Sequence, residues 1–174
     1  MTQMGIRTLT EIRETDPIQF LTILNSTLYK NIERMNVDRN LTLVLLNYYQ
    51  GLLTISGQHE EILIVRSDGN IERIDTMDLG LPIALDENIT EFINSATVEL
   101  KTGDGVVLYT DGITETFNVD RQQYGLDRLC DVISENWQHP IEDIKQSVIN
   151  DVLTFRGKEK QFDDITLLIL KQKA

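Results

Sequence analysis

Two four-residue apolar runs constrain this chain most. Val106-Val107-Leu108-Tyr109 stops at Thr110-Asp111-Gly112, and Leu167-Leu168-Ile169-Leu170 is preceded by Phe162-Asp163-Asp164-Ile165-Thr166. A strand-prone run ended by Asp-Gly reads as a buried strand that delivers a carboxylate to the rim of a sheet. Gly112 permits a tight turn there and keeps Cβ bulk away from whatever Asp111 faces. Read alone, the same letters also suit a plain turn. The second run shifts the balance. Adjacent carboxylates repel, so a sheet edge that carries them needs water or a cation to neutralise them. If the two strands are antiparallel neighbours, the end of one lies beside the start of the other, and Asp111 and Asp163 meet at one rim. Hard oxygen donors of this kind suit Mg²⁺ or Mn²⁺.

The rest of the chain supplies helices and further strands. Met1, Met4, Ile6, Leu9 and Ile12 recur at helical spacing from the first residue, with no capping residue before them. Either the natural element begins upstream or the end simply frays. Thr15-Asp16-Pro17 marks a second helix start, and Phe20, Ile23, Leu24, Thr27, Leu28 and Ile32 mark its apolar face up to about Asn36. Strands are predicted at Leu41–Tyr49 and Leu52–Ser56 around a Gln50-Gly51 turn, and at Ile62–Val65 and Ile71–Ile74 around Ser67–Asn70. Between them Gly57–Glu61 breaks the pattern, and the four strands read as a meander.

Leu79–Leu85, interrupted by Gly80 and Pro82, reads as a loop over a sheet edge, and Asp86–Ile93 as a polar, mobile segment. Ala96–Leu100 is a strand, and Lys101–Gly105 is the turn that feeds the Val106 run. Tyr124–Trp137 and Ile141–Phe155 are helices with inner faces Leu126, Leu129, Val132, Ile133 and Ile144, Val148, Val152, Phe155. Runs of strands and runs of helices predict an α+β fold with helix pairs on largely antiparallel sheets. At 174 residues the chain reads as one domain, 1–174.

Composition excludes several classes. The formal net charge of −12 argues against nucleic acid or an anionic membrane as the main partner. No apolar run is long enough to span a bilayer. The single cysteine, Cys130, excludes an internal disulfide and fits a reducing cytoplasm. It lies on the apolar side of a helix and reads as core. It is not followed by the arginine that a cysteine phosphatase needs. Phosphate-loop, dinucleotide and nucleophile-elbow motifs are all absent. Trp137 reads as a core or cap residue and His139 as a loop residue. His59, in the break after a strand, is the better functional candidate of the two histidines.

The segments V-L-Y-T-D-G-I-T-E, Q-Y-G-L-D-R-L and F-D-D-I-T-L-L-I-L, with Ser56–His59 and Gly80–Ala84 in order before them, resemble the PPM-type metal-dependent protein phosphatases. Within these they are similar to the bacterial branch named for stage II sporulation protein E. The resemblance runs from near Met1 to Lys171 and implies an α-β-β-α sandwich. By it, Asp111 and Asp163 are carboxylates of the metal centre, Gly112 belongs to the same Asp-Gly motif, and Asp164 is a ligand through water. Thr110 and Glu115 have supporting roles. His59 stands one place off the family's Gly-His pair.

The implied reaction is hydrolysis of a phosphoserine or phosphothreonine monoester by water activated between two divalent ions, Mn²⁺ or Mg²⁺. The implied partner is a phosphorylated regulatory protein of the anti-sigma-factor-antagonist type. The family's early Asp-Gly or Gly-Asp hairpin, source of the bridging carboxylate, has no counterpart ahead of the first helix. With the uncapped helix start, this predicts a domain lacking its first β-hairpin and weak in activity alone. A partner-binding module without hydrolysis is the alternative. A sheet edge left uncovered there is expected to favour pairing of two chains.

Overall fold

The computed structural model describes residues 2–11, 13–37 and 39–173. Met1 and Ile12, included in the predicted first helix, lie outside the described residues. The described chain is α+β and divides into two compact units, 1–59 with 75–99, and 60–74 with 100–174.

The first unit begins with helices α1 (Thr2–Glu11) and α2 (Pro17–Met35). Asp16 caps α2 by accepting from the backbone N–H groups of Ile18 at 2.9 Å and Gln19 at 3.4 Å, and Pro17 stands in its first turn, where a missing N–H costs nothing. The helix ends at Asn36 in the left-handed region, as the sequence predicts. Its buried face is Phe20, Leu21, Leu24, Asn25 and Leu28. Ile23, assigned to that face from the sequence, is 42% exposed. Leu21 takes its place because the stripe is turned toward the buried Asn25.

These helices pack on a sheet of β1 (Leu43–Tyr49), β2 (Leu52–Gln58) and β5 (Ser95–Glu99), in the order β1-β2-β5. The predicted break at Gly57 does not end β2. Gly57 and Gln58 stay paired with Val44 and Leu43. Gly57 is held at φ +92°, and a Cβ there would strike the Leu43 carbonyl. The Gly80–Ala84 loop does lie over an edge: Leu41 and Ile83 exchange backbone hydrogen bonds of 3.1 and 2.8 Å. The segment read as mobile, Asp86–Ile93, is tied down instead. Ile89 and Ile93 are buried, and the Asn25 amide donates to the Asp86 and Glu87 carbonyls.

The second unit holds β3 (Ile62–Val65), β4 (Ile71–Ile74), β6 (Gly105–Tyr109) and β7 (Leu167–Lys171) in the order β4-β3-β6-β7, every pair antiparallel. The predicted single meander is therefore wrong. β3 leaves β2 and pairs with β6, since four consecutive buried residues suit a central strand better than an edge. The one-turn helix α3 (Asp111–Thr114) follows β6, and α4 (Leu126–Asn136) and α5 (Ile141–Arg156) cover one face of the sheet. Leu129, Cys130, Ile133, Ile144, Val148 and Val152 pack there on Leu63, Val65, Val107 and Ile169. Cys130 is thus a core residue, and burial raises its thiol pKa.

Trp137 caps α4, fully buried, with Nε1 donating to the Gly103 carbonyl at 3.0 Å. Buried Asp104 organises the turn before β6. It accepts from Ser67 N–H at 2.8 Å, Arg66 Nη1 at 3.0 Å and Lys101 N–H at 3.1 Å. Burial opposes its charge, but these donors outweigh burial and hold its pKa below the usual carboxylate value.

Candidate metal-binding rim and adjoining cleft

β6 and β7 pair with Tyr109 opposite Leu167, so the chain leaving β6 and the chain entering β7 meet at one end of the sheet. Thr110 joins them. Its N–H donates to the Thr166 carbonyl at 3.2 Å. Its hydroxyl donates to the Asp164 carbonyl and accepts from Thr166 N–H, each at 3.1 Å. Asp111 then opens α3, and Gly112 lies against the Asp163–Asp164 main chain. A Cβ on Gly112 would collide with the Asp164 carbonyl oxygen and stand 2.9 Å from its carbon. Only glycine allows this approach.

The Asp111-Gly112 segment and the Asp163-Asp164 segment, distant in sequence, are thus brought together. The carboxylates of Asp111, Asp163 and Asp164 are exposed, and Gly112 and Ile113 are buried beneath. Asp163 Oδ1 accepts from Asp164 N–H at 2.7 Å, and its carbonyl accepts from Gln161 Nε2 at 2.8 Å. Gln161 Oε1 accepts in turn from Arg156 Nη1 at 2.9 Å, so a side-chain tether from the end of α5 holds the loop. On the other side Thr116 Oγ1 donates to the Gly112 carbonyl at 2.7 Å. Glu115 is exposed, its N–H bound to the Asp111 carbonyl at 2.7 Å.

Behind the turn the buried phenol of Tyr109 has its pKa pushed up, first by burial and then by the charges of Glu60 and Glu61. His59 belongs to the first unit. Its Nδ1 lies 3.0 Å from the Thr42 hydroxyl, and its N–H donates to Thr76 Oγ1 at 2.9 Å.

The side-chain donors carried by the two segments, Asp111, Asp163 and Asp164, are all oxygen, the type a hard divalent cation takes. Among the described residues no three His, Cys, Asp or Glu side chains gather into a group that could enclose an ion. Beside the rim opens a cleft of about 330 Å³ lined by Gly112, Glu115, Arg121, Lys160, Phe162 and Asp163, among others. Neither Arg121 nor Lys160 lies in a stretch with a periodic sequence signal, so only folding brings them to the cleft.

Among the described residues no helix is long and apolar enough to cross a membrane. The fold recurs in solved structures. One is the SiaA-PP2C domain of Pseudomonas aeruginosa (TM-score 0.78, 16% identity, 97% of this chain and 66% of that one). Another comprises the RsbU and RsbW domains of Rv1364c from Mycobacterium tuberculosis (TM-score 0.77, 17%, 99% and 46%). A third is the phosphatase domain of SpoIIE from Bacillus subtilis, presoaked with Mn (TM-score 0.57, 18%, 97% and 72%). At these identities the likeness is one of fold.

Protein IcfG of Synechocystis sp. (strain ATCC 27184 / PCC 6803 / Kazusa) is 28% identical over 117 residues, 66% of this chain and 17% of that protein. This chain therefore corresponds to a small part of that relative. The family described as Stage II sporulation protein E (SpoIIE) matches residues 1–173. With that match over nearly the whole sequence and a shared phosphatase-domain fold, the chain belongs to the stage II sporulation protein E family.

Proposed function

We propose that this chain is a metal-dependent phosphatase module that hydrolyses a phosphoserine or phosphothreonine monoester on a regulatory protein of the anti-sigma-factor-antagonist type. The observation that carries the reading is the close approach of Gly112 to the Asp163–Asp164 main chain, with Asp111 beside it. Asp111 and Asp163 would hold the cation directly, Asp164 through water, with the Gly112 carbonyl at the same rim. Mn²⁺ or Mg²⁺ supplies Lewis acidity for the phosphoryl oxygens and the attacking water when bound. The chain's own contribution is positional. Thr110 fixes the two loops to each other, the Arg156–Gln161 tether fixes Asp163, and Gly112 leaves the rim without side-chain bulk.

Hydrolysis of p-nitrophenyl phosphate and of a phosphoserine peptide, with and without Mn²⁺, tests the proposal. Turnover that needs Mn²⁺ and is abolished by Asp111→Asn supports it. Turnover indifferent to Asp111→Asn removes this site assignment. The second reading is a module that binds a phosphorylated partner without hydrolysing it. It is favoured by the absence, among the described residues, of a closed cluster of three ligating side chains. Binding of the phosphopeptide with no turnover at any Mn²⁺ or Mg²⁺ concentration would select it.

A further inference from the structure

Strand β1 ends its sheet. β2 pairs with one side of it and, among the described residues, no strand pairs with the other. The Gln50-Gly51 turn fixes which backbone groups face outward. Both turn residues have positive φ, +48° and +88°, as in the two-residue hairpin whose flanking pair is hydrogen-bonded. Tyr49 and Leu52 are that pair, so Leu43, Leu45, Asn47 and Tyr49 turn their N–H and C=O groups toward β2. Val44 and Leu46, between them, turn theirs outward. Leu41, which bonds to Ile83, belongs to the first set, so that bond lies on the β2 side.

The side chains also stop one strand short. On β2, Leu53 and Ile55 are buried, yet their β1 partners are not covered alike: Tyr48 is 47% exposed and Leu46 half-buried. Tyr49 is 69% exposed. The other sheet-end strands carry charge, which blocks edge pairing: Glu72 and Arg73 on β4, Glu99 on β5 and Lys171 on β7. β1 is seven residues long, Leu-Val-Leu-Leu-Asn-Tyr-Tyr, and carries none.

We infer that the outer side of β1 is a homodimer interface, in which β1 pairs antiparallel with β1 of a second copy about a two-fold axis at Leu46. The outward backbone groups of Leu46 then bond those of Leu46 of the partner subunit. Val44 comes beside the partner's Tyr48, and Leu43 beside the partner's Tyr49. The strand is its own match. Its exposed rings stand at one end and its half-buried aliphatic side chains at the other, and an antiparallel copy brings those ends together. Charge selects the same occupant. At a net charge of −12 two copies repel over much of their surface, and an uncharged strand is where they can meet. The inference does not depend on the phosphatase reading.

Analytical ultracentrifugation of the chain over a concentration series tests this. The wild type passes from monomer to dimer as concentration rises. Leu46→Lys and Leu46→Glu each raise the dimer dissociation constant by roughly tenfold or more, since like charges then stand directly opposite. An equimolar mixture of the two variants restores the dimer, because opposite charges now meet across the axis. That rescue separates a lost contact from a damaged fold, which far-UV circular dichroism checks directly. Tyr49→Glu, at an exposed position, weakens the dimer as well. A monomer at every concentration, a dimer that these variants leave intact, or a mixture that associates no better than the single variants overturns the inference.

Discussion

Gly112 rests against the carbonyl of Asp164, and no larger residue can stand there. The contact joins the end of one strand to the start of its neighbour, next to the residues of the proposed site. Gly112→Ala forces the two loops apart. Its φ lies outside the left-handed region, so the cost is steric, about 1–3 kcal/mol for a contact that must shift backbone. Urea unfolding should show a lowered midpoint, and calorimetric titration should show weaker Mn²⁺ binding than in the parent chain.

Thr110 makes two side-chain hydrogen bonds across the same junction, to the Asp164 carbonyl and from Thr166 N–H. Thr110→Val keeps the shape and deletes both, which costs about 1–2 kcal/mol. Thr110→Ser should recover most of the loss. Equal stability of the Val and Ser variants in thermal unfolding would show that the hydroxyl is not what couples the loops.

Acid sensitivity should centre on Asp104. Its folded pKa lies below the ordinary value, so its stabilisation is complete above that value, near pH 4. It is lost as pH falls through the lower folded value. Glu72, held down first by its Arg66 hydrogen bond, and Asp151, held down first by Arg128, act in the same direction. Unfolding free energy measured from pH 7 to pH 2.5 should fall more steeply for the wild type than for Asp104→Asn. The variant begins less stable at neutral pH by about 2–4 kcal/mol, as Arg66 and two N–H groups lose an ionised partner.

Asn25 is a buried polar residue with every amide atom employed. It accepts from Ala84 N–H at 2.7 Å and donates to the Asp86 and Glu87 carbonyls at 3.0 and 3.2 Å. Asn25→Ala strands these groups and should cost about 2–4 kcal/mol. Hydrogen exchange should then speed up across residues 84–93 before it does so in α2.

Trp137 is the single tryptophan and is fully buried, so its fluorescence reports on the second unit. Its ring lies under Lys171 Nζ at 4.8 Å and leaves no room for a Cβ at Gly105. Emission should be blue-shifted in the folded state and move red in one step on unfolding. Gly105→Ala, whose Cβ would strike the Leu170 carbonyl as well as the indole, should lower stability and produce a partial red shift under native conditions.

Much was legible where local chemistry is strong. The Asp16-Pro17 cap, the Asn36 stop and the inner faces of α4 and α5 follow from capping and from helical periodicity. The two motif strands were legible for the same reason, short apolar runs with polar ends. Errors fall where distant partners decide. Ile23 and Leu21 are both apolar, and only the packing around Asn25 chooses between them. Gly57 looked like a break, yet pairing with Val44 carries the strand through it. Asp86–Ile93 looked mobile because its tethers come from a helix some sixty positions away.

The sequence by itself determined the α+β class, the helix limits and the residues able to supply hard oxygen donors, because caps, turns and periodicity act over a few residues. Tertiary structure alone decided that the strands divide into two sheets and that β6 pairs with β7, which brings Asp111 and Gly112 to Asp163 and Asp164. It also decided that Arg121 and Lys160 share a cleft beside them. Strand partners are chosen by burial and cross-strand packing between residues far apart in the chain, and that energy is not written in any local stretch.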